Sequence, residues 1–204
     1  AVGTNSLFEQ NPATAVDMYN VAVGYHAGFK VSTGTSNTLI GGLAGDALTD
    51  ADSNVAVGRG TLSADTKGGR AVAIGQFALA SQNFTTTTNS YNVGVGYNAG
   101  VGVTTGTFNT LIGGLAGDAL TDADYNTAIG TIALGSDTLG SRSTVMGYGA
   151  LQTQNFTTAT DSYNVAVGYN AGASITIGEQ NTFIGGLAGD GTDDGYQNVA
   201  IGYE

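Results

Sequence analysis

The chain has no cysteine and no tryptophan, a single proline in 204 residues, and only 5 lysines and arginines against 16 aspartates and glutamates. Each shortage excludes something. Without cysteine there are no disulfides and no thiolate metal sites, while compartment stays open, because many secreted proteins lack cysteine too. A net charge of -11 disfavours nucleic acid and anionic membrane surfaces as partners. No run of 18 apolar residues occurs, so no transmembrane helix is encoded, and the first residues lack the basic flank and apolar run of a signal peptide. At 10% charged residues the chain is too apolar for a typical disordered tail, and 34 glycines are too few for a collagen triplet. The chain therefore folds, and its small side chains imply a core that is narrow or completed by other chains.

What the sequence does contain is a period. One phrase returns throughout, as Asn20-Val21-Ala22-Val23-Gly24, Asn37-Thr38-Leu39-Ile40-Gly41 and Asn198-Val199-Ala200-Ile201-Gly202. Its closing glycines run from Gly3 through Gly24, Gly41, Gly58 and Gly75 to Gly202, with spacings of 21, 17, 17 and 17 residues repeating as a 72-residue unit of four turns. The stretch Asn37 to Asp52 recurs unchanged at Asn109 to Asp124, and no linker interrupts the series, so residues 1–204 read as a single repeat domain. Five residues of strand pattern followed by glycine and a polar turn argue against helix. The fold class expected is all-β, a parallel β-solenoid or β-roll of about twelve turns stacked on one another. At about 4.8 Å per turn it forms a rod on the order of 55 Å long.

Each column of the repeat carries its own expectation. The residues flanking the central position are β-branched, Val or Thr before and Val, Ile or Met after, which assigns them to the inner face of the strand. The central position, with Leu39, Leu111, Val145 and Phe183 among alanines, then forms an apolar stripe on the opposite face that association must cover. Homotrimer is the assembly expected, with a monomeric solenoid as the alternative. An alanine three residues past the glycine, replaced only at Thr61, marks a tight packing position. The glycine itself marks a corner needing positive φ or close backbone approach. The leading Asn, present in nine of the eleven complete phrases, suits a stacked amide ladder.

The phrases NVAVGYHAG, NVGVGYNAG and NVAVGYNAG resemble the head repeats of trimeric autotransporter adhesins and similar repeats of phage tail fibres. The resemblance covers nearly the whole chain in motif, although adhesin heads use turns of about fourteen residues and these are longer. It implies a left-handed parallel β-roll with three rolls around a common axis, extracellular, as the rod or head of an attachment fibre on a virion tail or a bacterial surface. The alternative is a structural spacer that binds nothing itself. The chain opens and closes within a phrase, which is expected of a window within a longer array.

Chemistry-bearing residues are sparse, and no enzyme is expected. The single His26 is replaced by Asn98 and Asn170 in the equivalent positions of later units, which points to a surface substitution and leaves no base for a nucleophile. Asp46, Asp50 and Asp52 recur as Asp118, Asp122 and Asp124 and loosely as Asp190, Asp193 and Asp194. They read either as solvated acidic turns or as calcium ligands, without matching an EF-hand spacing. No catalytic, cofactor or metal residues are assigned. The 21-residue turns are expected to protrude at Ser81 to Tyr91 and Thr153 to Tyr163, with Glu9 to Tyr19 in the matching place. Tyr25, Tyr97 and Tyr169 beside them either plug the seam of the longer loop or offer an aromatic face to sugars, so the partners expected are further copies of the chain and a host or environmental surface, glycan included. The threonines invite comparison with ice-binding surfaces, which an inward Thr/Val column opposes.

Overall fold

The computed structural model describes residues 1–204 and contains no helix, hence none able to cross a membrane. Fifteen short strands follow in order: β1 (Val21–Val23), β2 (Thr38–Ile40), β3 (Val55–Val57), β4 (Gly68–Gly69), β5 (Val72–Ile74), β6 (Thr88–Asn89), β7 (Val93–Val95) and β8 (Thr110–Ile112), then β9 (Thr127–Ile129), β10 (Gly140–Ser141), β11 (Thr144–Met146), β12 (Thr160–Asp161), β13 (Val165–Val167), β14 (Thr182–Ile184) and β15 (Val199–Ile201). Eleven of them form one parallel sheet in chain order, with every central residue paired to the next central residue, as Ala22 to Leu39 and Leu39 to Ala56. An isolated bridge from Val2 to Val23 begins a twelfth turn. The parallel solenoid is thus present, with eleven complete rungs. The longer turns return through two small parallel pairs, β4 with β6 and β10 with β12.

The faces of the strand are the reverse of the expectation. The central column is buried, with Ala22, Leu39, Ala56, Leu111, Val145 and Phe183 all at 0% exposure. The β-branched columns on either side of it point outward. Leu39, Leu111, Val145 and Phe183 are therefore core and expose no stripe. Volume explains the inversion. Leu39 lies between Gly28 and Gly45, where an added Cβ would stand 2.6 and 2.9 Å from its δ-carbons. At Ala56, Ala73, Ala128 and Val145 the centre is small and the residue four past the corner glycine is Leu62, Leu79, Leu134 or Leu151 instead, whereas Ala22, Gly94 and Ala166 pair with Gly28, Gly100 and Gly172, whose space Leu39, Leu111 and Phe183 of the next rung fill. Large and small alternate so that a narrow lumen fills, and the wide β-branched pairs have no room there.

Both expectations for the corner glycine hold. Gly24 has φ 137°, and a Cβ on it would meet the Gly41 carbonyl at 2.6 Å; the same holds rung after rung. Three further positions per turn are left-handed, often in bulky residues such as Leu43 (φ 61°), Leu62 (φ 49°) and Tyr91 (φ 52°). Each non-glycine residue among them costs roughly 1 kcal/mol or more in isolation. They persist because backbone hydrogen bonds to the next rung over-determine them, as Leu43 N–H to Tyr25 O at 2.9 Å. The alanine column, Thr61 included, is buried, and Thr61 returns its hydroxyl to Gly58 O at 3.1 Å.

The Asn column forms the expected ladder. Asn37 donates from Nδ2 to Ala51 O at 2.8 Å and accepts at Oδ1 from the Asn54 N–H at 3.0 Å; Asn109 and Asn126 repeat the pattern. Two side chains missing from the ladder, at Ala71 and Ser143, fall just before each 21-residue turn. There Gln82 and Gln154 take over. Gln82 accepts from Asn92 Nδ2 at 2.9 Å and donates to Asp65 Oδ2 at 2.6 Å, while Asp65 Oδ1 accepts the Gly68 and Phe84 N–H groups at 3.0 Å. Gln154, Asp137 and Asn164 reproduce this network one unit later.

Candidate interaction surface

Because the strands stay in register, their outward residues form straight columns along the rod. The column before the centre runs Val21, Thr38, Val55, Val72, Val93, Thr110, Thr127, Thr144, Val165, Thr182 and Val199, and the one after it is all Val, Ile or Met. No charged residue falls in either. Ile40, Ile74, Ile112, Met146 and Ile184 are each more than a third exposed. Parity therefore no longer separates this sheet from an ice-binding face; what does is that no rung carries a Thr-x-Thr pair, because its second outward residue is always aliphatic.

An aromatic and cationic stack lines one edge of this face. Phe108 lies 5.2 Å from Tyr91 and 5.0 Å from Tyr125, ring on ring. Arg70 covers the outer face of Tyr91 at 5.6 Å and Arg142 that of Tyr125 at 4.8 Å. Arg142 is anchored to Asp161 at 2.9 Å. The left-handed residue that precedes the ladder column places these rings one strand spacing apart, so each stacks on the next. Their flat faces are covered by one another, and only their edges reach solvent.

The other edge carries Tyr25, Tyr97 and Tyr169, one residue past the corner glycine. At 55 to 58% exposure they plug no seam, which overturns that expectation and leaves the aromatic-face alternative. The long turns beside them are held by buried Gln82, Phe84 and Ser90, while residues 85–87 stand exposed. His26 occupies a left-handed position (φ 54°) that Asn98 and Asn170 fill in later units. It stacks between Tyr25 at 4.0 Å and Phe29 at 4.6 Å and lies 3.1 Å from Asn5 Nδ2. Asparagine tolerates left-handed backbone well, which accounts for the substitution pattern without chemistry.

The acidic turns do not converge. Asp52 Oδ1 accepts the Thr35 N–H at 2.7 Å and its hydroxyl at 3.0 Å, stapling one turn to the next, and Asp124 does the same to Thr107. Asp50 accepts from Thr49 and faces Lys67 at 3.9 Å, and Asp122 accepts from Thr105. Asp193 and Asp194 share the Thr176 hydroxyl. Burial pushes the Asp46 and Asp118 carboxyls above the ordinary range. No three acidic or histidine side chains are grouped to hold a metal ion. A shallow cleft of about 280 Å³ has Asp118, Ser136, Gln152 and Thr153 on its walls and no imidazole or second carboxylate to pair with Asp118.

Asp65 and Asp137 escaped sequence reasoning, although each is fully buried. Burial raises the Asp65 carboxyl, opposed by the hydrogen bonds from Gln82 and the backbone. Their signal was present: Asp-x-x-Gly followed by Gln seventeen residues after the Asp, at both 65 and 137. Enclosed as they are, they hold the long turn and contact no ligand.

No family model, curated protein or solved structure matches the chain.

Proposed function

We propose that this chain is the rod or head segment of an extracellular attachment fibre, on a phage tail or a bacterial surface, without enzymatic activity. It acts through repeated weak contacts whose avidity replaces a deep pocket. The supporting observation is the uncharged outward face of the eleven-stranded sheet, more apolar than a lone soluble chain of this size usually leaves in water. Three copies packed by these faces around a common axis cover it, which makes the homotrimer the assembly proposed. The sheet edges, the long turns at 85–87 and their counterparts stay outside for contact with a host or environmental surface.

Light scattering on the purified chain tests the assembly: a mass three times the 20.3 kDa of one chain is expected, and the mass of a single chain overturns it. Replacing Ile112 with Lys in the centre of the face is expected to return the species to monomer without unfolding the rungs. Adherence of the labelled segment to host cells separates the attachment reading from a spacer that binds nothing.

A further inference from the structure

Gly42, Gly114 and Gly186 are glycines that the fold does not require. The corner glycines immediately before them, Gly41, Gly113 and Gly185, have φ of 129 to 135° and no room for a Cβ. Their neighbours differ. None of the three has positive φ; a Cβ on Gly42 or Gly114 would meet nothing nearer than a backbone oxygen at 4.0 Å, and one on Gly186 would stand 3.4 Å from the Tyr203 ring, which bounds that notch on its far side. Other rungs put Thr4, Arg59, Gln76, Thr131 or Tyr148 in the same column. Glycine here lowers stability by about 0.5–1 kcal/mol relative to alanine through chain entropy. It nonetheless appears once in each 72-residue unit, and always on the rung that follows an exposed tyrosine: Tyr25 then Gly42, Tyr97 then Gly114, Tyr169 then Gly186.

The effect of each glycine is to leave one face of a tyrosine ring uncovered. Rings on adjacent rungs of this protein stack at 5.0 to 5.6 Å, as Phe108 on Tyr125 and Tyr148 on Tyr169. A ring resting on Tyr97 would therefore sit over Gly114, where a side chain is missing, with Thr131 bounding the gap one rung further on. We propose that these three notches are binding sites for the pyranose rings of a neutral glycan, each ring laying its C–H face on the tyrosine and keeping its hydroxyl edge in water. Of the side chains that bound the three notches within the column, Arg59 beyond Gly42 is the one that is charged, Thr131 and Tyr203 bounding the other two, and a net charge of -11 repels acidic polysaccharides. The notches recur every four rungs, about 19 Å apart, so a polymer with repeating sugars can engage several at once. This inference rests on the attachment reading and names the chemistry of the surface attached to.

The test compares the full chain with the triple variant Gly42→Thr, Gly114→Thr, Gly186→Thr. Thr131 already occupies this column, so the fold accepts the change. Both proteins are run in native gels containing dextran, mannan, galactan or dextran sulfate, and their tyrosine fluorescence, unobscured by tryptophan, is titrated with the same polymers. Retardation of the parent by at least one neutral polymer is expected, weakened at least tenfold in the triple variant and a few-fold when one notch is filled, with a melting temperature no lower than the parent's. Equal retardation of parent and variant, no retardation of the parent, or retardation by dextran sulfate alone overturns the proposal. A triple variant that still adheres to host cells sinks the notches and leaves the attachment reading intact. A parent that binds polysaccharide but adheres to no cell does the reverse.

Discussion

A fully buried aspartate is the residue this fold treats most unusually. Asp65 is enclosed with two backbone N–H groups and the Gln82 amide as its partners. Replacing Gln82 with Leu keeps the volume but removes the donor to Asp65 and the acceptor for Asn92, which is expected to destabilise by about 2–3 kcal/mol. The pH dependence of that loss has a definite sign. Because burial raises the Asp65 carboxyl above its unfolded value of 3.8, the folded chain binds its proton more readily than the unfolded chain. The stabilisation is complete below that unfolded value and is lost as pH rises through the folded one. Asp46 and Asp118 act in the same direction. Removing the Gln82 hydrogen bond removes a contact that lowers the folded value, so the variant's melting temperature should fall more steeply than the parent's as pH rises above the unfolded value of 3.8. A thermal denaturation series across that range checks it, and parallel curves would contradict it.

At the scale of the element, the rung is legible in the sequence and its facing is not. Period, corner glycine, Asn ladder and alanine column all follow from columns that repeat, because a residue stacked on its own kind must satisfy the same contacts each time. The facing does not follow from β-branching, because Val and Ile favour strands on either face. The decisive clue was the ladder. Asn37 is a structural residue two positions before Leu39, and residues at i and i+2 share a face, so an inward Asn puts the centre inward too. The matching of Leu39 with Gly28 and Gly45 lies outside strand periodicity, since it couples residues on different sides of the turn. It is testable by a double-mutant cycle. Leu39→Ala should cost about 2–5 kcal/mol through the cavity left behind. Gly28→Ala should cost about 1–3 kcal/mol through its left-handed backbone (φ 60°) and through crowding against Leu39 and Leu7, of which only the Leu39 part is shared with the first change. The double variant should lose less than the sum, because each change relieves part of the other's defect. The Tyr–Gly notches were half legible: the tyrosines stood out, but that Gly42 is unneeded by its backbone required its φ and its surroundings.

For the whole molecule, the governing fact is that each rung touches only its neighbours, so stability is close to a sum of like terms. The identical stretches ending at Asp52 and Asp124 make this open to a severe test. Deleting residues 53–124 joins Asp52 to Tyr125, removes β3, β5, β7 and β8 together with the β4–β6 pair, and leaves seven of the eleven sheet strands with every remaining pairing in phase. The shortened chain should fold with an unchanged circular-dichroism spectrum per residue; an unfolded or aggregated product would show that the 72-residue unit is not the module it looks like. The same sameness has a consequence for inheritance. Misaligned recombination between matching coding segments joins rung to equivalent rung, so lengthening or shortening leaves no scar at the seam. Reach is then a trait that descends in whole steps of about 19 Å, adjustable in a single genetic event, and each step adds or removes one Tyr–Gly notch with it.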